Sequence, residues 1–141
     1  LASNRRSKHD LSGIEIENLV IDLRDRLGED ENFGALKDSI DYEKLSRKIG
    51  DEYIDSDSVS RKAAKLLYGI IKNEPFVSGN EQIGGLLFVV YLTMNQIQLS
   101  SLGETKISDR ALTALVLLIS ESVSDEKELL LDLICKLLES A

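Results

Sequence analysis

The stretch Asn73-Glu74-Pro75-Phe76-Val77-Ser78-Gly79-Asn80-Glu81-Gln82-Ile83-Gly84-Gly85 joins a charged, helix-patterned segment to the longest uncharged run of a 141-residue chain. It holds the single proline and three of the nine glycines. A proline followed by a glycine, opening directly into a helix, can aim backbone N–H groups at an anion. The side chains on offer are Glu74, Ser78, Glu81 and Gln82, with no Lys, Arg or His. The turn is shaped for a phosphate and charged against one.

Helices are expected on both sides of it. Upstream, Asp57 and Ser58 can each cap a helix starting at Val59, whose buried stripe is Val59, Ala63, Leu66, Leu67, Ile70 and Ile71. Glu74 precedes the proline and is driven out of the α region, so this helix should end near Asn73. Downstream, a helix from about Asn80 to Gln96 is apolar on nearly every side, which predicts a buried central helix wrapped by the others. Gly84 and Gly85 each cost roughly 1 kcal/mol against alanine in such a helix. Close backbone packing or the approach of a ligand would explain them.

The remaining segments follow the same signals. Ser12 and Glu15 form a capping box ahead of a stripe of Ile16, Leu19, Val20, Leu23 and Leu27, with Gly28 as the stop. Asp41–Ile49 carries a weaker stripe (Tyr42, Leu45, Ile49) closed by Gly50, and Asp51–Ser58 reads as an acidic loop. Phe33–Ile40 is the one place where a short β-hairpin fits. Ser100–Lys106 is a connection, Ser108 caps a helix over Asp109–Ser122, and Ser124 caps a last helix whose apolar positions are Leu129, Leu130, Leu133, Ile134, Leu137 and Leu138. The expected organisation is a disordered polar segment at 1–10 and one all-α domain over 11–141.

Composition bounds the partners. Hydrophobic residues make up 43% and charged residues 30%, the profile of a globular chain, and with aromatics at 5% the core must be aliphatic. The net charge is −8, and Arg5, Arg6 and Lys8 are the only basic cluster, so phosphate neutralisation on nucleic acid has no supply of cations. Gln82–Gly103 carries no charge, but its strictly apolar part, Gly84–Leu92, is too short to span a bilayer. The polar, basic start lacks the apolar run of a secretory leader, and a cytoplasmic location is the expectation.

Most isolated polar residues take the plain reading. His9 lies in the polar first segment with no third group to orient it as a base. Cys135, set among Leu and Ile, reads as an inert buried thiol, and one Cys with one His makes a zinc site improbable. Glu17, Asp22 and Asp25 form a solvated helix face. Asp51, Glu52, Asp55 and Asp57 lack the glycine and spacing of a calcium loop.

The residues Glu74-Pro75-Phe76-Val77-Ser78-Gly79-Asn80-Glu81-Gln82-Ile83-Gly84 resemble the Fic/Doc (Fido) family motif His-Pro-Phe-x-Asp-Gly-Asn-Lys-Arg-x-Gly, set between two helices. Lys62–Asn73 is similar to the helix leading into that motif, Leu86–Asn95 to the family's central helix, and Lys106–Leu138 to the tail of prophage- and virulence-associated members. The resemblance implies a Fic/Doc-like helical domain around the buried central helix. It also implies a target-positioning flap at Phe33–Ile40 (Phe33, Ala35, Leu36, Ile40). Active members transfer AMP from Mg-ATP, or in Doc-type toxins a phosphate, onto a protein hydroxyl.

By that resemblance, Glu74 stands where the family's general base, a His, is found. Ser78 replaces the acidic residue that helps hold magnesium, Glu81 the lysine, and Gln82 the arginine that grips phosphates. A second arginine of many members falls at Gly85. Pro75, Phe76, Gly79, Asn80 and Gly84 keep the motif. A carboxylate facing a phosphate charge costs of order 4 kcal/mol at an effective dielectric of about 20. Losing metal and phosphate contacts together removes most of what phosphoryl transfer depends on.

The expectation is therefore a degenerate, catalytically inactive Fic/Doc-fold protein that binds another protein, either a target or an antitoxin-like partner. One alternative is an altered AMP- or phosphoryl-transferase using Glu74 as base and Mg-ATP as cofactor. Another is a helical subunit, such as a homo-oligomer, unrelated to nucleotide chemistry. No metal ligand set is expected.

Overall fold

The computed structural model describes residues 10–53, 58–97 and 107–139. Asp55, Asp57, His9 and the connection at 100–106 lie outside the described residues. Those that are described form an all-α fold: α1 (Gly13–Leu27), α2 (Tyr42–Lys48), α3 (Val59–Asn73), α4 (Asn80–Met94), α5 (Asp109–Glu121) and α6 (Lys127–Glu139).

The local signals act as expected at most helix ends. Ser12 and Glu15 close the capping box of α1, and Gly28 ends it in the left-handed region at φ 66°. Ser58 takes the Arg61 N–H at the start of α3, and Ser108 takes that of Ala111 at the start of α5. Two boundaries differ. Gly50 does not close α2, because the chain runs on through a π turn at Ile49–Tyr53 that buries Ile49 and Tyr53. Ser124 does not cap α6. It opens a 3₁₀ turn, Ser124–Glu126, in which the Glu126 carboxylate accepts the Val123 N–H, and α6 begins at Lys127.

The larger correction concerns which helix is central. α4 is not wrapped on every side, and α3 holds the centre with it: α3 packs on α4, α5, α6 and the π turn, while α1 packs on α2 and α4. Ten of the fifteen residues of α3 are buried in spite of four cations. Two of those cations, Arg61 and Lys72, find partners at the rim. Arg61 binds Asp132 through Nη1 at 2.9 Å and Glu128 through Nη2, both on α6. Lys72 donates to the Ser122 carbonyl at 2.6 Å, where α5 ends. α4 buries Ile83, Leu87, Phe88, Tyr91 and Leu92, while Leu86, Val89 and Val90 stay partly open.

No hairpin forms at Phe33–Ile40 among the described residues. The segment is instead an irregular strap, with turns at Gly34 and at Asp38 and Ser39, paired with the turn quoted above. Leu36 lies opposite Phe76 and Phe33 beside Ser78 in two isolated bridges. Bonds to the turn satisfy part of its backbone without a second strand of its own.

Candidate functional site

Three sets of bonds build the turn between α3 and α4. The first is the strap: Gly34 N–H donates to Ser78 O at 3.0 Å, Lys37 N–H to Pro75 O at 2.9 Å, and Val77 N–H to Ala35 O at 2.7 Å. The second is Asn80, whose Oδ1 accepts the Phe76 N–H and whose Nδ2 donates to the Phe76 carbonyl, both at 2.9 Å. One side chain thus satisfies both backbone groups of a fully buried residue. The third is aromatic. Phe33, fully buried, lies so close under Gly79 that a Cβ there would stand 2.6 Å from its Cδ2. The Phe76 ring lies 6.4 Å from that of Tyr42, whose hydroxyl donates to the Gly34 carbonyl at 2.7 Å. Burial pushes the Tyr42 phenol up from its ordinary value, with Arg24 partly opposing.

Gly79 is required twice, by its φ of 91° and by the Phe33 ring. Gly84 is favoured by close packing: a Cβ there would meet Ile70 Cγ2 at 3.2 Å, where α3 and α4 pack. Gly85 is different, since its nearest neighbour would be Leu112 at 3.8 Å, an ordinary contact. Glu74 caps α3 in the left-handed region at φ 47°, an uncommon conformation for a residue with a Cβ.

At the N-terminus of α4 the turn opens on a cleft of about 350 Å³. Glu74, Gly79, Asn80, Glu81 and Gln82 line it, together with Ile71 and Ser120. The structure thus brings together Glu74, Gly79, Asn80, Glu81 and Gln82. It does not bring Pro75 and Phe76 into the cleft, since both are buried in the scaffold, and exposed Ser78 is not among the described residues that line it. Glu74 and Glu81 are both exposed. The Ser120 hydroxyl is buried and has no hydrogen-bond partner among the described residues. Among the described residues no basic side chain lines the cleft. Lys72, nearest in sequence, spends its ammonium on the carbonyls of Ser120 and Ser122.

On the far side of the strap a second cavity of about 520 Å³ lies between α1, the strap and the start of α2. Ala35, Leu36 and Ile40 line it with Arg24, Glu17, Glu31 and Tyr42, and the Arg24 Nε is buried without a partner. Sequence reasoning missed Tyr42 and Arg24 as neighbours of the strap. Neither sits in a motif, and only the fold brings them together. Cys135 is half-buried, and burial raises its thiol's pKa. Among the described residues no group of three or more His, Cys, Asp or Glu could hold a metal ion. No described helix is long and apolar enough to cross a membrane. No protein-family model, curated protein or solved structure matches this chain.

Proposed function

We propose that this chain is a catalytically degenerate Fic/Doc-fold protein that acts by binding another protein in the cytoplasm. The observation that carries the reading is the lining of the α4 cleft. A helix N-terminus offers about half a positive charge to an anion. Here Glu74 and Glu81 line the cleft beside it, and the ammonium of Lys72, close in sequence, is committed to the end of α5.

Mg-ATP does not fit these residues. Among the described lining residues a polyphosphate would meet two carboxylates and no guanidinium or ammonium, and Ser78 offers a hydroxyl where the resembling motif has a metal-binding carboxylate. The persistence of the scaffold supports a retained structural role: Asn80, Gly79 and Phe76 hold the turn through bonds and packing that need no ligand.

Isothermal titration with Mg-ATP tests the reading, and no binding is expected up to millimolar ligand. Tight binding would sink it. A radiolabelled band after incubation with nucleotides and lysate, lost in Glu74→Ala, would transfer the assignment to a transferase with Glu74 as base.

A further inference from the structure

A helix apolar all round is stable only when something covers each side. α4 fits that description, yet one of its sides is open. Between α4 and α5 runs a groove of about 400 Å³, floored by Leu86, Val89, Leu112 and Val116, with Leu117 on its wall. Leu117 is 55% exposed. The groove continues at one end into the acidic cleft, because Glu81 and Gln82 line both.

The charges around this surface select what can cover it. Glu81 is the only charged side chain on α4. α5 adds Asp109, Arg110 and Glu121, and Glu74 faces the cleft. Lys72 is bonded to α5 carbonyls, and the partial positive charge of the α4 terminus offsets only part of one carboxylate. The surface is therefore apolar with an acidic end, on a chain of net charge −8. A second copy would bring the same acidic end and the same net charge against itself, which opposes association.

We propose that the α4–α5 groove docks an amphipathic helix of another protein, with its Leu/Ile stripe in the groove and a Lys or Arg flank against Glu81 and Glu74. Helix-in-groove recognition uses apolar anchors at i, i+3/i+4 and i+7, and the charged flank sets orientation and partner choice. The proposal rests on the interaction-module reading given above and names the surface and partner chemistry.

The test is selection from a displayed library of helical peptides with a fixed apolar stripe and flanks randomised among Lys, Glu, Gln and Ser, against the whole protein. Fluorescence anisotropy then measures the selected peptides on wild type, Leu117→Lys and Glu81→Lys. Both positions are exposed, so the fold is retained and circular dichroism should not change. The expected result is enrichment of Lys in the flanks and affinity weakened roughly tenfold or more by each substitution. Glu81→Lys should also favour Glu-flanked peptides. No selected binder, flanks without basic bias, or affinities unchanged in both variants would overturn the proposal. So would a dimer in sedimentation velocity that Leu117→Lys abolishes, which would assign the groove to a second copy. Mg-ATP titration separates the two readings. Peptide failure without nucleotide binding removes only the docking surface, whereas nucleotide binding removes the interaction-module reading.

Discussion

The strap-and-turn region and the α5–α6 region solve opposite problems. Around the turn, an irregular backbone is closed by paired N–H and C=O groups, one asparagine and two of the chain's three phenylalanines, Phe33 and Phe76. α5 and α6 are regular helices, yet they leave Leu117, Leu118, Leu129 and Leu133 between 39% and 69% exposed. Order in the first region comes from complete satisfaction of a difficult backbone. In the second, an easy backbone carries more apolar surface than the fold covers. Regular secondary structure and completed burial are separate achievements: regular α5 leaves Leu117 and Leu118 about half exposed, whereas Phe33 and Phe76 on the irregular strap and turn are fully buried.

Truncations on the two sides should break the comparison most clearly. Phe33→Ala should cost about 3–5 kcal/mol, since a buried aromatic under the turn is removed, whereas Leu129→Ala should stay within about 0.5 kcal/mol. Urea denaturation of both variants measures the contrast, and equal losses would refute it. Asn80→Ala should come next, at about 1–3 kcal/mol, because the Phe76 N–H and carbonyl lose their partner while buried. The same titration reads this loss, and a neutral result would mean that the turn relaxes freely.

A smaller effect, of opposite sign, is expected inside α4. Gly85→Ala should stabilise by up to about 1 kcal/mol, since a Cβ there meets only ordinary contact and helix propensity improves. A rise in melting temperature is the readout. The smallest effect is confined to alkaline pH. Tyr42 titrates above its ordinary value in the folded protein, so the folded state holds that proton more tightly than the unfolded one. Its contribution is fully present below the unfolded phenol's pKa of about 10 and is lost as pH rises through the higher folded value. Thermal melts from neutral to alkaline pH should fall more steeply for wild type than for Tyr42→Phe.

What the sequence disclosed follows the range of the forces involved. Ser12, Gly28, Ser58 and Ser108 act on neighbours within four residues, so four helix ends were legible directly. The composition of the cleft was legible too, because Glu74, Gly79, Asn80, Glu81 and Gln82 are contiguous around one turn. The strap's partner was not legible, since nothing near Phe33 marks a pairing with a turn some forty residues on. Nor was the sharing of the centre between α3 and α4. Hydrophobicity ranks α4 as the buried helix, but Arg61 and Lys72 escape burial by reaching α6 and the end of α5. The start of α6 was misplaced for a third reason: a 3₁₀ turn and an α-helix share their opening signals.

The strap also has a consequence in time. The amides of Gly34, Lys37 and Val77 are bonded across two distant stretches of chain, with α2, the π turn and α3 lying between. Closing that long loop costs entropy, which the packing of the assembled fold must offset. The three amides are therefore expected to exchange with solvent together, as native-state hydrogen exchange would read. The shape of the turn between α3 and α4 is a property of the assembled fold, and it disappears as a whole when the strap lets go.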